Sequence, residues 1–149
     1  MSSLADTGLL IAALNRDDRH HRWAVNAIAA QRKLRTPIVV PEVVAGEAYT
    51  KLRYDRRVSG RHDARPALTV FGLLAADSEL FEIRGMPGES HRRSVDLLAR
   101  YVDQTFSWVD AIVLLCVDDD HGVEKLWTVD STFGAYRFSH QVLVSSPGN

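Results

Sequence analysis

The stretch TPIVVPEVVAGEAYTKL (residues 36–52) contains two different patterns side by side. Residues 36–41 are rich in β-branched side chains and are closed by Pro41, which is typical of a short strand. From Pro41 onward the apolar residues recur at helical spacing. Pro41 suits the first position of a helix, and Glu42 is an acid in its first turn. The stretch therefore predicts a strand followed directly by a helix.

The same alternation of strand and helix patterns continues along the chain. Short apolar runs of strand length alternate with longer segments of helical periodicity. The predicted strands lie at 36–41, 79–85, 124–130 and 140–146, and the predicted helices at 20–30, 41–54, 64–76, 88–102 and 107–120. This alternation predicts an α/β fold with a mostly parallel, four- to five-stranded sheet flanked by helices. In such folds, sites form beyond the carboxyl ends of the strands.

The N-terminal segment SSLADTG (residues 2–8) shows the weakest pattern. The alternation requires a first strand here, but only Leu4 and Ala5 are apolar. We therefore expect Asp6, which follows this strand, to be less firmly placed. Asp6 or Thr7 would cap the apolar segment that comes next.

Length and composition predict one soluble domain spanning residues 1–149. Hydrophobic residues make up 46% of the chain, charged residues 25%, and the net charge is −1. Cys116 is the only cysteine and lies in an apolar run, so we expect a buried thiol and no internal disulfide. LLIAAL (9–14) is too short to cross a bilayer and follows no basic region. We expect a cytoplasmic protein without membrane contact.

A local excess of positive charge lies at 51–65, where six basic residues face two acids. Such a segment can meet a phosphate backbone, although a solvated helix end and loop explain it more simply. Within it, residues 55–66 are predicted to form a loop. The candidate RNA-binding residues are Lys51, Arg53, Arg56, Arg57, Arg61 and Arg65.

Three acids lie at predicted junctions between elements, and each has an ordinary structural explanation. Asp6 follows the first strand, and Asp130 ends the strand KLWTVD. Both are suited to turns or helix caps. In SWVDAIVLLC (107–116), Ser107 and Asp110 have the spacing of a capping box. A ligand role for these acids is compatible with the capping role, because a helix N-terminus lies at the same edge as the strand ends.

Glu47 has no comparable structural explanation. It borders the apolar stripe of the helix that begins near Pro41, and a surface glutamate with a buried stem is the alternative. Gly46 beside it costs about 1 kcal/mol relative to alanine in a helix. We therefore expect another backbone or group to approach closely at Gly46.

If the four acids converge, their mutual repulsion requires protons or a cation. Two carboxylates about 4 Å apart repel by roughly 4 kcal/mol at an effective dielectric of 20. An all-oxygen ligand set favours Mg²⁺, with Mn²⁺ as a substitute. Such ions activate water and orient phosphodiesters. The pattern therefore predicts phosphodiester hydrolysis, with the basic segment 51–65 steering a nucleic acid.

At these residues the sequence resembles PIN-domain ribonucleases, specifically the VapC-like toxins of type II toxin–antitoxin systems. The resemblance spans nearly the whole chain, in order. The motifs that carry it are ADTGLLIAAL with Asp6, VVPEVVAGEAYTKL with Glu47, FSWVDAIVLLC with Asp110, and WTVDSTF with Asp130.

The resemblance implies a three-layer PIN-like fold and a metal-dependent endoribonuclease. Its catalytic and metal-binding residues would be Asp6, Glu47, Asp110 and Asp130. It also implies RNA as the substrate, a cognate antitoxin as a partner, and a homodimer. Thr7 and Thr128 match positions where a hydroxyl orients a neighbouring carboxylate. For Thr128, an ordinary strand threonine is an equally good interpretation.

Two other functions compete with the nuclease. One is a catalytically silent PIN-like module that binds RNA or an antitoxin; retention of all four acids counts against it. The other is a haloacid-dehalogenase-like phosphatase, which needs an acid two positions after Asp6, where this chain has Gly8. Other polar clusters receive structural interpretations: the helix-surface pair His20 and His21, the helix end DDDHG (118–122), the surface acid Asp103 and the first-turn acid Glu42.

Overall fold

The structure, a computed structural model, describes residues 1–148. Within them, five strands form one sheet in which every neighbouring pair is parallel. The strands are β1 (Ser2–Ala5), β2 (Ile38–Pro41), β3 (Phe81–Arg84), β4 (Val123–Trp127) and β5 (Leu143–Ser145). Their order across the sheet is β3-β2-β1-β4-β5. The strands predicted from the sequence are all present, with slightly different ends.

Helices occupy the connections between the strands. The helices are α1 (Thr7–Leu14), α2 (His21–Leu34), α3 (Glu42–Tyr54), α4 (Arg56–Ser59), α5 (Arg65–Ala76), α6 (Ser90–Arg100) and α7 (Trp108–Asp119), followed by a 3₁₀ helix at Ser131–Ala135. Helix α1 contacts α2 and α3, α3 contacts α5, and α6 packs on α7. The predicted α/β architecture, a parallel sheet flanked by helices, is confirmed.

Strand β1 is firmly held, contrary to the expectation from its composition. It lies at the centre of the sheet, and both Leu4 and Ala5 are fully buried. Ser3 is also buried, and its hydroxyl donates to the side-chain carbonyl of Gln31 at 3.2 Å. Two parallel neighbours satisfy the backbone of a central strand, so β1 needs few apolar side chains of its own. Asp6 is consequently fixed at the strand end.

Helix α7 is apolar on all sides because it is buried on all sides. The seven consecutive residues from Ala111 to Val117 are all buried, Cys116 among them. A helix of this kind belongs in the core. Burial raises the pKa of the Cys116 thiol to about 11, which keeps it protonated and unreactive. The prediction of a buried thiol is confirmed.

The acids of 118–122 anchor the far end of α7. Asp119 accepts two bonds from the guanidinium of Arg93, at 2.6 and 2.9 Å, and Asp120 accepts one from Arg84 at 2.7 Å. These partners tie α7 to α6 and to strand β3. The acids therefore have structural partners, in line with their interpretation as a helix end.

The sequence predicts a loop at residues 55–66, but the segment contains the single helical turn α4. Asp55 caps that turn by accepting a bond from the Arg57 amide at 2.9 Å. Ser59 is buried and donates to the carbonyl of Leu52 at 2.8 Å. A local cap and one tertiary hydrogen bond therefore order a segment whose composition favours a loop.

Candidate active site

The side chain of Asp6 lies at the carboxyl end of the central strand and caps α1. One carboxylate oxygen accepts from the Thr7 amide at 2.7 Å, and the other accepts from the Thr128 hydroxyl at 2.9 Å. The residue is only 6% exposed. Burial raises the pKa of Asp6 to about 6, and repulsion from Asp110 and Glu47 adds to the rise, while the two hydrogen bonds oppose it.

Glu47 comes to the same place from α3. Its Oε2 accepts a 2.6 Å bond from the Thr7 hydroxyl, and its Oε1 is 3.3 Å from the Lys51 ammonium, one turn further along the helix. Thr7 thus bonds to two acids at once, since its amide holds Asp6. A single residue at the start of α1 sets the relative position of the two carboxylates.

Asp110 forms the capping box that the sequence predicts. Its Oδ2 accepts from the Ser107 amide at 2.7 Å, and its own amide donates to the Ser107 hydroxyl at 3.1 Å. Burial raises the pKa of Asp110, and repulsion from Asp130 and Glu47 adds to this. The capping role and proximity to the other acids therefore coexist in one side chain.

Asp130 follows β4 and caps the short 3₁₀ helix. Its Oδ1 accepts from the Thr132 amide at 2.9 Å, and its own amide donates to the Thr128 hydroxyl at 2.9 Å. The Thr128 hydroxyl in turn donates to Asp6. Thr128 therefore links the ends of β1 and β4, as its proposed orienting role requires.

All four acids line one cavity of about 350 Å³. Lys51 lines it too, together with two residues that the sequence reading left aside, Asp18 and His20. The Asp18 carboxylate accepts from the His20 amide at 2.7 Å, which shapes the loop between α1 and α2. His20 therefore borders the acidic cavity instead of facing only solvent. Asp103 and Glu42, which the sequence analysis interpreted as a surface acid and a first-turn acid, are exposed and do not line the cavity.

The donor set matches a hard divalent cation, although the acids do not form a closed coordination cage. Among residues 1–148, no group of three or more His, Cys, Asp or Glu side chains is arranged so that it could hold a metal ion. Mg²⁺, however, commonly binds through one or two carboxylates and completes its shell with water and substrate phosphate. A cluster of all-oxygen donors around an open cavity is compatible with that mode.

The basic segment contributes less free charge than its composition suggests. Arg57 pairs with Asp55 and Arg65 with Asp63, all on the surface. Exposed pairs of this kind are worth at most about 1 kcal/mol. Of the six basic candidates, only Lys51 lines the cavity. Arg53, Arg56 and Arg61 complete the set on and after the end of α3.

The close approach expected at Gly46 occurs instead at Gly8. A Cβ added at Gly46 meets nothing within 4 Å, so the expectation is wrong. A Cβ at Gly8 would lie 2.3 Å from Cγ2 of Val129 and 3.2 Å from its Cβ and Cγ1. The absence of a side chain at Gly8 lets the start of α1 pack against the turn between Thr128 and Asp130.

We expect Gly8→Ala to destabilise the protein by about 1–3 kcal/mol, because overpacking outweighs the helix propensity of alanine. The Cβ and both methyl groups of Val129 would all lie within 3.2 Å of the added Cβ. Chemical denaturation of Gly8→Ala, Val129→Ala and the double variant measures the effect. The double variant should regain most of the loss; an unchanged loss would contradict close packing at this pair.

A sequence model of the PIN domain matches residues 4–139. The chain belongs to the PIN domain family. No curated protein matches the chain significantly. The sequence-based resemblance is thereby confirmed for the family, and the family match includes all four acids of the cavity.

Solved structures resemble this PIN domain in fold. VapC20 from Mycobacterium tuberculosis, described as a sarcin–ricin loop-cleaving toxin, has a TM-score of 0.75 at 20% identity and covers 92% of this chain and 96% of its own. VapBC2 from Rickettsia felis, bound to a promoter DNA fragment, has a TM-score of 0.67 at 14% identity and 98% coverage of both chains. A toxin–antitoxin complex from Klebsiella pneumoniae has a TM-score of 0.53 at 24% identity and covers 87% of this chain and 88% of its own. The predicted likeness to VapC-type structures is thus confirmed in the fold.

Helices that could cross a membrane are not found among residues 1–148: none is both long and apolar enough.

Proposed function

We propose that this PIN domain is a divalent-metal-dependent endoribonuclease that acts as the toxin of a toxin–antitoxin pair. The observation that carries the proposal is the convergence of Asp6, Glu47, Asp110 and Asp130 on one cavity at the carboxyl edge of the sheet. Burying and clustering carboxylates is costly. The arrangement therefore favours a role in binding positive charge over a purely structural role.

The residues that would hold Mg²⁺, or Mn²⁺ in its place, come from the same four acids, one or two of which would bind the ion while water and substrate phosphate complete its shell. When bound, the ion would lower the pKa of a water molecule and neutralise charge on a phosphodiester. Asp110 and Asp130 each have one carboxylate oxygen engaged in a cap. Their remaining oxygens are suited to face the cavity ion.

The neighbouring side chains of the chain orient and balance this cluster. Thr7 and Thr128 donate hydroxyl bonds to Glu47 and Asp6, which restricts the rotation of those carboxylates. Lys51 places an ammonium at the rim, where it offsets part of the negative charge and attracts a substrate phosphate. Anchored acids and an exposed ammonium at the rim suit the binding and cleavage of a polyanion.

The toxin assignment is supported by the kind of protein that shares the fold. VapC20 is described as a toxin, and the Klebsiella structure as a toxin–antitoxin complex. We propose that a cognate antitoxin controls this PIN domain in the cytoplasm and that the active form is a homodimer. The alternative, a silent module that binds RNA without cleaving it, differs from this proposal in one measurable property.

The decisive experiment is cleavage by the purified chain, free of any partner. We expect structured and single-stranded RNA panels to be cut in the presence of Mg²⁺ or Mn²⁺, and cutting to stop with excess EDTA and return when metal is restored. Binding without cleavage under every metal condition would favour the silent module. Cleavage that persists in EDTA would rule out the metal-dependent mechanism.

A further inference from the structure

Tyr54, the last residue of α3, is an aromatic side chain left in solvent. It is 79% exposed, far more than a tyrosine that packs on a protein surface. Its recorded ring contact is with the guanidinium of Arg53, whose Cζ lies 6.0 Å from the ring centroid. At that distance a cation–π contact is weak. Folding therefore does not explain why an aromatic residue stands here.

The position of Tyr54 on α3 relates it to the acidic cavity. Seven residues separate it from Glu47, which is close to two helical turns. The two side chains therefore share one face of the helix, about 10 Å apart along its axis. Lys51 lies on the same face between them, paired with Glu47 and largely exposed. A carboxylate, an ammonium and an aromatic ring thus follow one another outward from the cavity.

The surface beside this row is open, and several arginines outside ion pairs lie near it in sequence. Gly46 and Thr50 are exposed on α3, and a Cβ at Gly46 would meet nothing within 4 Å. The acids that follow Tyr54 are already bound by arginines: Asp55 by Arg57, and Asp63 by Arg65. The arginines outside those pairs that lie nearest in sequence are Arg53, Arg56 and Arg61.

This combination fits an unpaired nucleic-acid strand. Phosphates are attracted by the ammonium and guanidinium groups, and an exposed ring offers a face on which a base stacks. A base in a duplex is stacked on its neighbours, so such a platform serves a single strand, a loop or a splayed end. An exposed tyrosine next to arginines is less suited to an apolar protein partner.

We propose that Tyr54 is a substrate-binding residue that stacks on an unpaired RNA base while Lys51 contacts a phosphate nearer the acidic cavity. The proposal rests on the proposed function for the identity of the strand, and it adds the requirement that the RNA be unpaired a short distance from the cleaved bond. The bound RNA strand would then run along α3, from the cavity acids to Tyr54.

The test measures RNA binding separately from cleavage. In an Asp6→Asn background with Mg²⁺ present, the probe is a short fluorescein-labelled single-stranded RNA, followed by anisotropy. Tyr54→Ala should raise the Kd by roughly 5- to 100-fold, the effect of losing one base–aromatic stack. Tyr54→Phe keeps the ring and should bind within about twofold of its parent. The matched control is Leu34→Ala, because Leu34 is 67% exposed and ends α2 beside the amino end of β2.

Two further readouts distinguish stacking from general damage. The melting temperature of Tyr54→Ala should equal that of its parent, because the ring is exposed. A 2-aminopurine in the RNA should show quenched fluorescence with the parent and recover it with Tyr54→Ala. An unchanged Kd in Tyr54→Ala, or an equal loss in Tyr54→Phe or Leu34→Ala, would overturn the proposal. If the wild type binds RNA without cutting it and Tyr54→Ala weakens that binding, the stacking role stands and only the nuclease proposal fails.

Discussion

Asp6→Asn is expected to lower RNA cleavage by roughly 100-fold or more, about 2.7 kcal/mol of transition-state stabilisation. The same change is expected to make the metal-free protein more stable at neutral pH. Both effects come from one fact: the carboxylate is buried at 6% exposure, with only two hydrogen bonds to offset the loss of water. An asparagine fits the same space but carries no charge. It therefore avoids the cost of burying a charge, and it cannot bind a cation as a carboxylate does.

The gain in stability should depend on pH in a defined direction. Asp6 titrates at 3.8 in the unfolded reference and at about 6 in the folded chain. Below pH 3.8 the group is protonated in both states and imposes no cost. As the pH rises towards 6, only the unfolded chain loses the proton, so folding becomes less favourable, by up to about 3 kcal/mol above pH 6. Asp6→Asn should therefore gain this amount at pH 7.5 and almost nothing near pH 3.5.

Urea unfolding of wild type and Asp6→Asn across this pH range, with EDTA present, measures the difference. Asp103→Asn is the matched control, because it removes the same charge from an exposed acid outside the cavity. It should retain cleavage and show no pH-dependent gain. Loss of activity together with loss of stability in Asp6→Asn would indicate misfolding and contradict the assignment.

The fold was predictable where each element carries its own burial pattern. The strand–helix unit at 36–54 is an example, because β-branched residues and helical spacing both reflect burial within the element itself. Strand β1 is the opposite case. Its stability comes from its central place between β2 and β4, which only the completed sheet reveals. The ordered turn α4 likewise depends on Ser59 reaching back to Leu52.

The candidate site was predictable to the extent that topology determines it. Parallel strands end at one edge, so the acids after β1 and β4 had to lie near each other. Asp18 and His20 line the cavity because of the conformation of the loop between α1 and α2. A loop has no periodic sequence pattern, so the sequence did not predict this placement. The sequence also could not show whether another group approaches Gly46. A glycine lowers helix propensity by the same amount beside open space as beside a close neighbour, and Gly46 faces open space.

Mn²⁺ is expected to raise the melting temperature of the wild-type protein. Burial is the larger cause of the raised pKa values of Asp6 and Asp110, and mutual repulsion adds to it: Asp110 and Glu47 act on Asp6, and Asp130 and Glu47 act on Asp110. A cation in the cavity would relieve this repulsion only in the folded state. At a hundred times its Kd, such an ion stabilises by about 2.7 kcal/mol, or roughly 5–11 °C for a chain of this length.

The pH dependence and the variants identify where the ion acts. Protons compete with the metal for Asp6, so the rise should be full at pH 7.5 and should shrink as the pH falls through about 6. Asp6→Asn and Asp110→Asn should lose most of the rise, whereas Asp103→Asn should keep it, since Asp103 is outside the cavity. Differential scanning fluorimetry with Mn²⁺, Mg²⁺ and Na⁺ at equal ionic strength separates binding from screening. An equal rise in all variants would place the ion elsewhere on the surface and remove the main physical reason for the four acids to cluster.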